Sequence, residues 1–464
     1  MPNTQIKTDY LIVGSGAVGM AFADTLLTDT DAKIVIVDRF AKPGGHWNHA
    51  YPFVTLHQPS AFYGVSSREL SNGLLDEVGL NKGLGSLASG ADVAAYFDGV
   101  MQERFLPSGR VQYFPMCDYR GGGVFENVLT GEIFAVDAGK TVDATYLKTT
   151  IPSTHTPSFE IHDDVRFMPL NDLPQVDQKP DGYVIVGGGK TGMDAVLWLL
   201  GNGVAPDDIR WIMPRDGWML DRKNAQSDIA FFKDAIGGQA AQFEAIAACD
   251  GVEDLFDRLE ASGVLLRIDP DVRPKMFHAA TISQAELAAL RQIKGIVRKG
   301  RVQSIGVNEI VLDEGTIPTS ANTVHVDCSA SAINNLEMKP IFQGDLITPQ
   351  TVRSHQPVFS AAMIAHIEAT KDTEDEKNAL CTVVPLPNHD TDWIRMMMPF
   401  MMNQYNWSRD PELRDWLREN RLDGFSAMVR SVSKDDAEKQ AILERMKAAS
   451  MPAMAKLTQL MGQI

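Results

Sequence analysis

Asp9-Tyr10-Leu11-Ile12-Val13 runs straight into Gly14-Ser15-Gly16-Ala17-Val18-Gly19, Met20 to Leu27 follows at helical spacing, and Lys33 to Val37 ends at Asp38. The two apolar runs are β-type segments, the glycines break the first of them, and the whole reads strand, turn, helix, strand. In such a turn Gly14 permits the tight exit from the strand, Gly16 lets the backbone approach a pyrophosphate, and Gly19 allows helix and strand to pack closely. The phosphates then meet the amide-rich helix N-terminus. An acid about twenty residues on should bind the ribose hydroxyls, and Asp38 stands there, followed by Arg39. A lone glycine motif is a weak signal, but here strand, helix and acid are all in place. Gly14, Gly16, Ala17, Gly19, Asp38 and Arg39 are therefore the expected contacts of a first dinucleotide, against the plain alternative of a structural glycine turn.

The same grammar recurs. Tyr183-Val184-Ile185-Val186 is followed by Gly187-Gly188-Gly189-Lys190-Thr191-Gly192, a helical stretch through Leu200, and Ile209 to Met213. No acid ends this second unit. Pro214-Arg215 stands in its place, and a cation there suits a 2′-phosphate, which favours NADPH over NADH. The alternative is a solvated surface arginine. Lys190 either assists the phosphates or faces water. Gly187, Gly189, Lys190, Thr191, Gly192 and Arg215 are the expected second set. Two turns imply two dinucleotides, and the economical pair is FAD with NADPH, because a flavin accepts hydride from a nicotinamide and passes electrons onward.

The chain has 464 residues, enough for two or three domains, and its 44% hydrophobic and 22% charged content is that of an ordinary globular protein. A net charge of -17 repels nucleic acid and anionic lipid over most of the surface. The four cysteines, Cys117, Cys249, Cys328 and Cys381, form no CxxC pair, so neither a disulfide framework nor a zinc knuckle is expected, and a reducing cytoplasm suits them. Tyr10 to Ala23 has the apolarity of a signal-peptide core, but its glycine spacing has the other explanation. No run reaches the roughly 18 apolar residues of a membrane helix. A small organic substrate is expected, with no nucleic-acid or membrane partner; a homodimer is possible.

We expect an α/β protein with two Rossmann-like domains: a first part of the FAD domain over 1–175, an inserted NADPH domain over 180–325, and a return to the FAD domain with a helical C-terminal region over 326–464. The polar stretch Asn171 to Asp181 reads as a linker or hinge between the first two. Residues 225–263 read as helical, and Val264 to Ile268, Val302 to Leu312 and Thr323 to Asp327 as β-like. A loop after Ala330 leads to a helix over Gln350 to Thr370.

Residues 44 to 63 narrow the reading: Gly44-Gly45-His46-Trp47, then Tyr51-Pro52, then Leu56-His57-Gln58-Pro59-Ser60-Ala61-Phe62-Tyr63. With both glycine turns, this order of parts resembles the class B flavoprotein monooxygenases, the flavin-containing and Baeyer–Villiger enzymes, over roughly residues 8 to 215. The resemblance implies that NADPH reduces FAD, that O2 adds at flavin C4a, and that one oxygen atom passes to a substrate in a closed site. It places Gly45, His46 and Trp47 beside the flavin, and Gln350 and Thr351 at the start of a helix facing the flavin's pyrimidine end. There are departures. The family's FxGxxxHxxxW fingerprint is absent; Pro152 to Phe159 and Val165 to Asn171 stand where it would fall. An acid carried by many Baeyer–Villiger enzymes falls at His57 here.

His57 and Gln58 are the candidate catalytic groups, near flavin, oxygen or substrate. His57 is either a proton donor or a satisfied buried histidine. Trp47 and Tyr63 either wall the flavin or are core. The string His46, His49, His57 lacks a clustered Cys or carboxylate, so no metal is expected. Trp218 either stacks on a cofactor or packs as a surface-loop aromatic. Met396, Met397, Met398, Met401 and Met402 form a pocket wall, or else core or a subunit interface. Cys328 is expected to be inert core. A flavin oxidoreductase that inserts no oxygen, and a cofactor-binding regulatory protein with little turnover, are the competing readings.

Overall fold

In a computed structural model, which describes residues 4–330 and 336–464, the chain is an α/β protein with two sheets, each carrying one of the glycine turns on parallel strands, the first of them extended by antiparallel strands, and a helical C-terminal segment. The loop expected just after Ala330 falls partly on residues 331–335, outside the described residues.

The first sheet is built around the strand Thr4–Val13, which pairs in parallel with Ile34–Val37 on one side and Ile133–Asp143 on the other. Val111–Phe114 extends it beyond Ile34–Val37, and Leu346–Ile347 extends it beyond Ile133–Asp143. The chain therefore leaves this sheet and comes back to it. Ile34–Val37 is buried on both faces, which is why it reads as an unbroken Ile-Val run rather than an alternating one. The helix Ala17–Asp29 covers one face, and the almost wholly buried helix Pro357–Thr370 packs against it.

The second sheet orders its parallel strands Arg166–Pro169, Val324–Asp327, Tyr183–Val186, Ile209–Ile212 and Gly295–Val297. Its first strand precedes the stretch expected to be a linker or hinge. That stretch begins in a 3-10 turn, Leu170–Gln175, whose Leu170 and Leu173 are buried in the second core. A smaller sheet of Leu265–Leu266, Gly217–Asp221 and Met276–Ile282 stands beside it. The helix Phe232–Ala248 lies along the C-terminal helix Ala437–Met461, with Ala245 and Ile246 in one apolar cluster with Ala453 and Leu457.

The helix expected over Gln350 to Thr370 starts later, at Pro357. Proline disfavours the helical conformation in the residue before it, and Gln356 is accordingly non-helical at φ -127° and ψ 72°. Gln350 and Thr351 thus lie in the loop ahead of the helix.

Each turn brings helix and strand into near contact through its third glycine. A Cβ on Gly19 would lie 2.0 Å from the carbonyl oxygen of Gly14, and one on Gly192 would lie 2.2 Å from that of Gly187. Gly14 and Gly187 are themselves left-handed, at φ +99° and +130°. Gly192→Ala should therefore destabilise the protein by about 2 kcal/mol or more through overpacking. Gly189→Ala, where an added Cβ meets nothing within 4 Å, should stay within about 1 kcal/mol of the parent. Urea midpoints at constant slope check this; equal losses would contradict the packing account.

Candidate functional site

Both turn helices open with unclaimed amides. Ala17–Asp29 and Lys190–Gly201 have glycine N-caps, no side-chain cap and no acid in the first turn. Gly16 and Gly189 sit at φ -71° and -83°, conformations open to any residue. A Cβ on Gly16 would make an ordinary 3.7 Å contact with Gly45. The protein's own packing thus explains the first and third glycine of each turn and leaves the middle one unexplained. A phosphate pressed against the backbone explains it, and on this test both turns fit a dinucleotide.

Asp38 is buried beside the first turn. Its Oδ2 accepts from the Ser15 amide at 2.6 Å and the Ser15 hydroxyl at 2.7 Å, and its Oδ1 accepts from the Phe40 amide at 2.8 Å. A carboxylate offers about four acceptor positions, so capacity remains for a ribose hydroxyl. Arg39 is exposed, its guanidinium against Phe40. The Gly44 amide donates to the Ser15 carbonyl at 2.9 Å, which brings Gly45, His46 and Trp47 to the turn. The Trp47 indole donates to the Tyr63 hydroxyl at 2.7 Å, and His46 stacks on Trp47. Burial pushes His46 down to about 4.

At the second turn Lys190 does not face water. It pairs with Asp194, whose other oxygen accepts from the Tyr51 hydroxyl at 2.6 Å. This ties the turn to the segment after the first βαβ unit. Thr191 is half-buried at the helix start. The carbonyl of Arg215 lies beside Gly188, and its guanidinium donates to Asn388 Oδ1 at 2.8 Å. His278 shares that oxygen at 2.9 Å, and Arg301 is close enough to lower Arg215 further after burial. Arg301 and His278 had no signal in the sequence, because both come from segments remote from the turn.

His57 lies between the two parts of the chain. Its carbonyl accepts from Arg222 Nε at 2.8 Å, and among the described residues its ring has no hydrogen-bond partner. Burial first, then the charges of Lys190 and Arg222, hold it well below the ordinary histidine range. It is therefore neutral at physiological pH. The string of His46, His49 and His57 forms no metal cluster, and no group of three or more His, Cys, Asp or Glu side chains among the described residues could hold one.

Gln58 borders a cavity of about 510 Å³. Trp393, Met396, Met397 and Phe400 of the helix Asp392–Arg409 form one wall; of the methionine run only Met396 and Met397 line the cavity, whereas Met398 and Met401 pack in the neighbouring apolar cluster and Met402 is exposed. Gln350 and Thr351 are not in it. Their side chains donate to the carbonyls of Lys339 and Val384, at 2.8 Å and 2.7 Å. The cavity instead takes Arg353 and His355 from the same loop, together with Asp423. Arg353 is 4% exposed, pairs with Asp423 at 2.6 Å and stacks its guanidinium 3.7 Å from the centre of the Phe359 ring. His355 is left-handed at φ +61°.

Trp218 is neither a cofactor platform nor a surface-loop residue. It lies on the strand Gly217–Asp221, 1% exposed, stacked on Phe256. The glycine at its start disguised that strand as a turn. All four cysteines are buried, and burial raises the Cys328 thiol well above its ordinary value. Among the described residues no helix is long and apolar enough to cross a membrane.

No family model matches the chain. An uncharacterized protein of Mycobacterium tuberculosis, Rv2000, is 47% identical over 432 residues, spanning 93% of this chain and 80% of that protein. Its Mycobacterium bovis counterpart, Mb2023, matches equally. Among solved structures, an ε-caprolactone-bound cyclohexanone monooxygenase aligns with a TM-score of 0.50 at 12% identity, over 82% of this chain and 93% of that one. A flavin-containing monooxygenase from Stenotrophomonas maltophilia aligns at 0.46 and 14% identity, over 81% of this chain and all of that one (100%). At these identities the structural likeness is one of fold.

Burial pushes His355 to about 4 from the usual 6.5. The folded state binds fewer protons than the unfolded one, so this stabilising contribution is complete above pH 6.5 and is lost as pH falls toward 4. His355→Asn keeps a residue that tolerates the left-handed backbone and removes the titration. Its urea-derived stability should fall by about 2–3 kcal/mol less than the parent's over that window; parallel curves would contradict the assignment.

Proposed function

The chain belongs to the same family as the Mycobacterium tuberculosis protein Rv2000, and from that footing we propose that it is an FAD- and NADPH-dependent flavin monooxygenase acting on a small organic substrate. The observation that carries the reading is the pair of middle glycines, Gly16 and Gly189, which nothing in the protein's own packing requires. The shared fold with a cyclohexanone monooxygenase raises the expectation by analogy.

In this reading the amides that follow Gly16, with Ala17 and Gly19, hold the FAD pyrophosphate, and Asp38 takes the adenosine ribose. Gly45, His46 and Trp47 lie along the flavin. The amides after Gly189, with Thr191, hold the second pyrophosphate, and Arg215 with Arg301 takes the 2′-phosphate. Lys190 positions the second turn through Asp194 and Tyr51. When bound, the flavin accepts hydride from the nicotinamide and activates oxygen. The chain's own part is orientation and exclusion of water. Neutral His57 and the Gln58 amide present hydrogen bonds without adding charge, and the methionine wall keeps the adjoining cavity apolar. The domain division that goes with this reading assigns the first sheet to FAD and the second to NADPH.

The reading is tested by the fate of oxygen. Protein loaded with FAD and given NADPH should incorporate label from labelled O2 into product. Anaerobic turnover of the substrate would establish an oxidoreductase without oxygen insertion, and flavin that neither nicotinamide reduces would leave a binding protein. Replacing Arg215 or Arg301 by Ala should raise the KM for NADPH by roughly tenfold to a hundredfold, the size expected for a lost charged hydrogen bond, while leaving that for NADH within about twofold. Equal effects on both would place the 2′-phosphate elsewhere. Gly189→Ala, neutral for stability, should weaken NADPH binding by at least tenfold.

A further inference from the structure

The cavity beside Gln58 is polarised. Its buried lining is mainly apolar, including Ile236, Val264, Met396 and Met397, whereas the lining residues exposed to solvent are Ser408, Arg414 and Arg430. Arg414 lies one helical turn from Arg418 on Pro411–Glu419, so the two share a face, and Arg430 ends the neighbouring helix Phe425–Arg430. The acids in the lining are already engaged. Asp423 holds Arg353 at 2.6 Å and the Ser426 amide at 2.6 Å. Asp221 accepts from the Lys223 amide at 3.0 Å and from Gln284 at 2.7 Å. Arg418 pairs with Asp415 outside the cavity. Among the described residues the side chains of Arg414 and Arg430 have no partner. A mouth carrying two unpaired guanidinium groups stands out on a chain of net charge -17.

We propose that this cavity binds a small apolar molecule with a terminal carboxylate, head at Arg414 and Arg430, apolar end directed toward Gln58. Deepening the proposed function, this names a substrate class: a medium-chain carboxylic acid entering tail first. A volume of about 510 Å³ falls within the roughly 300–1,000 Å³ of small-molecule sites. Guanidinium groups match carboxylate geometry, and the methionines adapt to a flexible chain.

Decanoate, methyl decanoate and decylamine, titrated into the purified protein without NADPH and followed by calorimetry, test the proposal. Decanoate should bind roughly threefold to tenfold more tightly than the ester, a modest ratio because exposed ion pairs are weak, and decylamine should bind more weakly than either. The preference should shrink in 1 M salt, where screening is short-ranged. The double variant Arg414→Gln, Arg430→Gln should bring decanoate to the ester's affinity and leave the ester unchanged. Equal binding of acid and ester, no effect of the double variant, or no binding of any of the three would overturn the proposal. Flavin reduction by NADPH, measured separately on the same preparation, shows whether the oxidoreductase reading stands when the ligand assignment fails.

Discussion

The structure turns on the approach of one helix to one strand, made twice. At Gly19 and Gly192 the space left for a side chain ends 2.0 and 2.2 Å away, at a carbonyl oxygen of the same turn. No other residue allows a helix to start so close to the strand that feeds it. Because the helix starts there, its free amides stand over the carboxyl ends of the parallel strands, where open α/β sheets bind ligands. The two sheets, their buried cores and the positions of Asp38 and Arg215 follow from that closeness.

The two halves are then joined by a small number of buried polar contacts around the segment 51–58. Tyr51 reaches Asp194, which holds Lys190. Arg222, which is fully buried, donates to the His57 carbonyl and to Asn81 from the first part of the chain, and pairs with Glu286 at 2.8 Å. A buried guanidinium left without such partners would be strongly destabilising. Its pairing fixes how the segment carrying His57 and Gln58 meets the second sheet. The same cation helps keep His57 neutral, so the device that docks the two parts also sets the chemistry available to that histidine.

The glycine turns were legible in the sequence because their requirement is local: strand, glycines, helix and terminal residue lie within one short stretch. The Met396–Met397 wall was legible as an alternative for a similar reason, helical spacing with adaptable side chains. The helix read from Gln350 started late because Pro357 acts on the residue before it, and Trp218 was misread because Gly217 conceals a buried strand. The partners of the site lay beyond reach. Arg301 and His278 join Arg215, and Asp423 joins Arg353, across long stretches of chain, and nothing in local pattern records such meetings. Lys190 could be read as solvated because its partner Asp194 is local but the anchor of that pair, Tyr51, is not.

The account stands on two separate adenine dinucleotides in one chain, and their stoichiometry tests it most directly. Flavin released by denaturation and NADPH bound at equilibrium should each approach one per polypeptide, with neither displacing the other. Mutual displacement, or a chain that takes up only one of them, would contradict it.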